Sequence, residues 1–222
     1  MEKFFLKYDD PLADENYARA KAFIPDLQNI QSTKKIADAH QECADKSFTN
    51  QFMVVDADAV FLNTFNMAEI YELTKDKNFV YIFSALNPVN DLEYGHGGIK
   101  IFQRKYFGNQ TGVDFSTSFH GKIKSVKKTL NIHKFNTSPF HAWRTAFREC
   151  VKLSAGTIEN RNVFKDQERL DIWCSRFNNV DYVEHVKDGA LAGREFGNKH
   201  SGKDLLLIND FRWLYEAFEN KL

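Results

Sequence analysis

The chain has 222 residues, long enough for one sizeable core and short for two. Lys and Arg balance Asp and Glu at 30 each, and 43% of the residues are apolar. No 18-residue apolar run exists, so a membrane span is not expected. Met1–Tyr8 reads as a first strand and not as a secretory leader. Three widely spaced cysteines, Cys43, Cys150 and Cys174, argue against a disulfide framework and against zinc spacing, and fit a reducing cytoplasm.

The elements expected in the first half alternate. Lys3–Tyr8 is a short apolar strand closed by the turn signal Asp9-Asp10-Pro11. Asp14 to Phe23 is helical, with Tyr17 and Ala20 on one face. Leu27–Ile30 reads as a second strand. Thr33 to Ser47 is a helix presenting Ile36, Ala39, Cys43 and Ala44 inward. Phe52–Val55 is a continuous apolar run, as in a parallel strand buried on both faces. A helix at Met67–Leu73 and a strand at Phe79–Phe83 complete the rhythm. It implies an α/β protein: a mostly parallel sheet flanked by helices.

The rhythm then breaks. Asn87 to Gly98 reads as a polar, Gly-rich loop, and Ile99–Phe102 as a strand. Gly121 to Lys134 reads as irregular structure or a hairpin. Helices are expected near 140–154, 166–177 and 203–220. With no linker or repeat, residues 1–222 are taken as one domain. Residues 1–103 form a nucleotide-binding half and 104–222 an acceptor-facing, mainly helical half.

Charge is unevenly spread. Residues 96–152 carry 11 Lys/Arg against 2 Asp/Glu, whereas residues 1–95 carry 9 against 16. A phosphate-bearing partner is one explanation; interleaving of the blocks on folding is the other.

Four segments carry chemistry. In V-V-D-A-D, residues 54–58, a buried strand delivers Asp56, Ala57 and Asp58 to the carboxyl edge of a parallel sheet, where ligands of open α/β sheets bind. Two carboxylates suit magnesium or manganese, with a diphosphate completing the shell. In Y-G-H-G-G-I-K-I-F-Q-R, from residue 94, Gly97 and Gly98 allow close backbone approach to a ligand, and His96 is a candidate contact. In F-K-D-Q-E-R-L, from residue 164, Asp166 is either a helix cap or a general base, with Glu168 as its rival. In G-R-E-F-G-N-K-H-S-G-K, from residue 193, Arg194, Lys199 and His200 lie in an expected mobile loop suited to closing over a diphosphate, with His200 as a third metal ligand. There is no Walker A pattern and no nucleophile elbow.

Taken together, V-V-D-A-D, G-G-I-K-I-F-Q-R and K-D-Q-E-R-L resemble the GT-A glycosyltransferases. The resemblance implies a GT-A, Rossmann-like fold with a UDP-sugar donor. It implies Mn2+ or Mg2+ at Asp56 and Asp58. The first βα loop, Tyr8, Asp9 and Asp10, would contact the base, and Gly97 and Gly98 would line the sugar pocket.

N-P-V-N-D-L-E-Y-G-H-G-G-I-K, S-P-F-H-A-W-R-T-A-F-R-E-C and L-L-L-I-N-D-F-R-W-L resemble, more narrowly, phage glycosyltransferases associated with TET/JBP-type base oxidation and those of T-even-like phages. That likeness implies hexosyl or pentosyl transfer to 5-hydroxymethylcytosine, or another hydroxymethylpyrimidine, in double-stranded DNA within a host cytoplasm. Lys122, Lys124, Lys127, Lys128 and Lys134, with His133 and Phe135 interleaved, and Arg144 and Arg148 would face the DNA phosphates. The competing readings are a transferase acting on a surface glycan, a non-catalytic nucleic-acid-binding protein and a nucleotidyltransferase. The missing Gly-rich loop after the first strand disfavours the last.

Overall fold

A computed structural model describes residues 1–32, 35–108, 113, 119, 122–158 and 162–221, without the side chains of His96 and Gly97. Two compact units are present. The first comprises Met1–Asn87, Glu93–Gln110 and Lys122–Lys134; the second comprises Pro88–Leu92, Thr111–Gly121 and Phe135–Leu222.

The first unit is an α/β sheet flanked by helices. Its strands are β1 (Glu2–Lys7), β2 (Gln28–Gln31), β3 (Gln51–Asp56), β4 (Ala59–Phe61), β5 (Val80–Leu86), β6 (Glu93–Gln103) and β7 (Ile123–His133). They lie in the order β2-β1-β3-β6-β5-β7-β4. Pairings β1–β2, β1–β3 and β5–β7 are parallel, while β6 is antiparallel to β3 and β5, and β4 to β7. It follows that β1, β2, β3, β5 and β7 share one direction and β4 and β6 oppose it. The expectation of a mostly parallel sheet holds.

Period-2 alternation splits the strands between two faces. Phe5, Met53, Val55, Tyr81, Phe83, Ile99 and Ile101 form one core face with α1 (Ala13–Phe23) and α3 (Met67–Leu73). On the other face Phe4, Phe52 and Phe102 stack under α2 (Ile36–Lys46), with the His40 ring edge-on to Phe102 at 5.5 Å.

His40 sets an acid limit to stability. It is 3% exposed, and its Nδ1 lies 2.8 Å from the Ile36 carbonyl. Burial, with the Lys100 charge nearby, pushes its pKa down to about 3. The unfolded chain binds this proton near pH ~6.5, so between there and pH 3 the unfolded state holds one proton more. Stability is present above pH ~6.5 and is lost as pH falls, by up to about 1.4 kcal/mol per pH unit from this group. His40→Leu is expected to flatten the slope of unfolding free energy against pH between 6 and 4. An unchanged slope in urea titrations would show that His40 is not the group that titrates.

Two sequence expectations change here, and one strand is added. Gly121 to Lys134 is no hairpin: residues 123–133 form the long strand β7. Its register slips against β5 between Phe83 and Ala85, which blurs the alternation that marks a strand. The expected loop before Gly98 is already strand from Glu93, because β6 pairs with β5 as far as Leu86↔Glu93. The three-residue strand β4 had no expectation, being too short to show a period.

The second unit is helical: α4 (Pro139–Ala155), α5 (Val163–Ser175), α6 (Val183–Lys199), a 3-10 segment Gly202–Asn209 and α7 (Phe211–Glu219). Ser138 caps α4 by accepting from the His141 amide, Asn162 caps α5 and Asp210 caps α7. The expected mobile loop at 193–203 is corrected: Arg194 and Lys199 lie on α6, and His200 closes that helix. Gly189, Gly193 and Gly197 recur every four residues, so they form a stripe on one face of α6. A Cβ at Gly189 or Gly193 would come within 2.3 Å of the Trp143 or Phe147 carbonyl oxygen of α4. These glycines signal close helix packing and not chain flexibility. Among the described residues no helix is long and apolar enough to cross a membrane.

Candidate functional site

β3 ends at Asp56, and a two-residue turn carries Ala57 and Asp58 into β4. Because Leu6 pairs with Asp56 in parallel register, the Tyr8-Asp9-Asp10 loop and the D-A-D turn lie at the same carboxyl edge. Two backbone anchors hold the turn. Buried Asn16 of α1 donates its Nδ2 to the Ala57 carbonyl at 2.8 Å. The Lys134 amide donates to the Asp58 carbonyl at 2.8 Å. Asp10 shapes the neighbouring loop by accepting from the Leu12 amide at 3.0 Å.

Each carboxylate is backed by a more deeply buried basic residue. Lys100 Nζ, on β6, donates to both Asp56 oxygens at 2.7 Å. The Lys100 side chain is 11% exposed and that of Asp56 27%. On β7, His133 Nε2 lies 3.0 Å from Asp58 Oδ2, with exposures of 2% and 23%. In each pair the basic partner is the more deeply buried of the two, and Asp58 Oδ1 is buried as well. Burial pushes the Asp56 carboxyl up, Lys100 pulls it back, and the charge of Asp58 raises it again. Two acids that feel each other in this way are an arrangement a further cation relieves.

The oxygen donors of Asp56 and Asp58 fit a hard divalent cation. Among the described residues, however, no three His, Cys, Asp or Glu side chains form a metal-holding group. Most of the coordination shell would therefore have to come from a bound phosphate and water. His200 is engaged within its own unit, its Nδ1 2.9 Å from the Phe196 carbonyl and its ring stacked on Phe196 at 3.9 Å.

Neither Lys100 nor His133 was singled out as a partner of the carboxylates from the sequence. His133 was expected among the DNA-facing residues; it is 2% exposed, and Phe135 is 1% exposed. A signal for Lys100 was present. A lysine between Ile99 and Ile101 on a strand buried on both sides needs a carboxylate partner.

The basic block is partly spent internally. Lys128 pairs with Glu69, and Lys152 meets Glu149 at 2.8 Å. Arg148 donates to the Ile208 carbonyl at 2.7 Å and to Asn209 Oδ1 at 3.1 Å. The Arg144 guanidinium lies over the Phe140 and Phe211 rings, 5.4 and 4.9 Å from their centroids. Lys122, Lys124 and Lys127 are exposed, and Lys134 is half-buried. Gly98 is a buried residue of β6. The side chains of His96 and Gly97 lie outside the described residues.

In the second unit Asn162 takes the cap of α5, accepting from the Lys165 amide at 3.1 Å, so Asp166 is not the capping residue. Asp166 lies instead on the buried face of α5 with Leu170 and Trp173, at 7% exposure, while Glu168 is exposed. Arg169 of the same helix pairs with buried Glu149 of α4.

The chain matches no protein-family model and no curated protein. Several solved structures share its backbone path in part. A mannosyltransferase from Pyrobaculum calidifontis, in complex with GDP-Man and Mn2+, is 14% identical over 99% of this chain and 81% of its own, with a TM-score of 0.48. A glycosyltransferase involved in glycosylation of the major capsid of PBCV-1 is 12% identical over 62% of this chain and 95% of its own, with a TM-score of 0.42. The bifunctional IspDF from Campylobacter jejuni is 16% identical over 58% of this chain, with a TM-score of 0.40; the present chain spans 49% of its length.

Proposed function

We propose that the protein is a glycosyltransferase that moves a sugar from a nucleotide donor, UDP-linked in the leading reading, to an acceptor hydroxyl. The observation that carries this reading is the D-A-D turn at the carboxyl edge of the sheet, with Asp56 held by Lys100 and Asp58 by His133, each partner more buried than its carboxylate. Asp56 and Asp58 would hold a divalent cation, which would supply positive charge to the departing nucleoside diphosphate. Lys100 keeps the Asp56 carboxylate aimed and opposes the upward push of burial on it, and Asn16 fixes the turn between the two acids. The Tyr8-Asp9-Asp10 loop, at the same edge, is the proposed base-contacting segment. Arg194, Lys199 and His200 remain proposed donor or metal contacts, now from a helix end instead of a loop. Asp166, on the buried face of α5, is the proposed base for the acceptor hydroxyl, with exposed Glu168 as its rival.

The proposed acceptor is a hydroxymethylpyrimidine of double-stranded DNA. Exposed Lys122, just before β7, and Lys124 and Lys127 within it support this reading, since binding to duplex DNA draws on cationic side chains that meet its phosphates. The test is transfer of labelled sugar from a panel of UDP-sugars to duplex DNA containing 5-hydroxymethylcytosine, with unmodified DNA and a glycan acceptor alongside, in manganese or EDTA. Label on the modified DNA alone, and only with metal, is the expected result. Label on the glycan alone moves the acceptor and leaves the transferase standing. DNA binding without any donor binding would replace it with a non-catalytic DNA-binding protein.

A further inference from the structure

Asn131 of β7 is 0% exposed, yet among the described residues neither its Nδ2 nor its Oδ1 has a hydrogen-bond partner. Buried amides are almost always paired, because leaving them unpaired forfeits their hydration without return. Asn131 is also placed with unusual care. β7 bulges against β5 immediately before it: Ser84 pairs with Thr129 and Ala85 with Asn131, so Leu130 is the extra residue. Such bulges re-aim side chains and recur beside active sites. Across β4 the register is Phe61↔Asn131 and Ala59↔His133, which puts the amide two pairs along the ladder from the residue that clamps Asp58, on the same face of the strand. Gly98 completes the setting. A Cβ there would come to 2.9 Å from Asn131 Nδ2 and 3.4 Å from the Ala59 Cβ, so only glycine leaves the amide its space.

We propose that Asn131 is a donor-sugar-recognising residue, whose amide is kept unpaired in the free protein so that it can exchange hydrogen bonds with hydroxyls of the transferred sugar. The inference rests on the nucleotide-sugar reading of the D-A-D turn and deepens it. The ligand class follows from both amide atoms lacking partners. Phosphate oxygens only accept and would leave Oδ1 unsatisfied; a metal ion would leave Nδ2 unsatisfied. A sugar hydroxyl both donates and accepts, and a vicinal pair meets both atoms at once. Gly98 is then a specificity position: it gives the backbone no side chain to compete for the amide.

Replacing a buried, unpaired polar group by an apolar one of similar shape is neutral or stabilising. A residue kept for ligand recognition should therefore show stability and affinity moving apart. The experiment is calorimetric titration of wild-type protein, Asn131→Leu and Asn131→Ala with UDP- and GDP-linked hexoses and with UDP and GDP alone, alongside thermal unfolding. For the best-bound nucleotide sugar, Asn131→Leu is expected to lose about tenfold or more in affinity. Affinity for the bare nucleotide should stay within about twofold and Tm should hold or rise. Asn131→Ala should show the same binding ratio even if leucine proves too bulky to fold. Equal changes for sugar nucleotide and bare nucleotide, or a lower Tm with binding intact, would make Asn131 a structural residue and overturn the proposal alone. A wild-type protein that binds no nucleotide at all removes the transferase reading and this inference with it.

Discussion

Gly193→Ala is expected to destabilise the protein by about 1–3 kcal/mol, read from the midpoint of urea unfolding. Intrinsic propensity argues the opposite sign, since alanine in place of a mid-helix glycine gains about 1 kcal/mol. Packing decides. The new methyl would lie 2.3 Å from the Phe147 carbonyl oxygen and 2.9 Å from its carbonyl carbon and Cα. All three are backbone atoms of α4, so no side-chain rotation relieves the clash and the helices must part. Phe147 and Phe196, whose rings lie 5.6 Å apart within the same cluster, would lose contact as they do. Gly189→Ala meets the Trp143 backbone in the same way. Gly197→Ala meets the Ser154 Oγ first, at 2.1 Å, and then the Val151 carbonyl oxygen at 2.7 Å, so part of its clash can turn aside and its cost should be the smallest of the three. If all three alanines were neutral or stabilising, the close approach of α4 and α6 would be wrong.

The same stripe explains why the last turns of α6, residues 193–199, read as part of a loop in the sequence. A glycine carries two opposite messages, chain freedom and close approach, and only the four-residue spacing of 189, 193 and 197 separates them. Elsewhere the periodic signal sufficed. β1, β3, α1, α3 and α4 lie within a residue or two of the expected bounds, because each buries a face whose spacing is set by its own geometry. β7 was lost because its bulged register places lysines on successive residues, Lys127 and Lys128, where a regular strand would alternate. The functional site divides along similar lines. The D-A-D pair was legible since strand, turn and both acids are contiguous. Lys100 and His133 stand 44 and 75 residues further along, and which carboxylate each one holds is decided by strand order. The orphaned amide of Asn131 leaves no local trace, since being unpaired is a property of its neighbours.

Asp58→Asn is expected to lower sugar transfer by about 100- to 1,000-fold with little change in stability, because the amide fills the same space but carries no charge for a cation or developing diphosphate. Asp56 must be tested through its partner. Lys100→Met leaves a carboxylate that is only a quarter exposed without its two 2.7 Å donors, and Asp56→Asn leaves an ammonium that is 11% exposed without its counter-charge. Each single change should cost about 2–3 kcal/mol, somewhat below the ~3–5 kcal/mol of a fully enclosed pair because water still reaches Asp56. The double change Asp56→Asn with Lys100→Met removes both charges, and most of that stability should return. Transfer should not return, because the aimed carboxylate is gone. This separates the two roles that a single substitution confounds. If stability and transfer recovered together, Asp56 would serve only to neutralise Lys100, and the donor site would rest on Asp58 alone. If the double variant were as unstable as the singles, the 2.7 Å contacts would not be what holds β3 and β6 in register at the site.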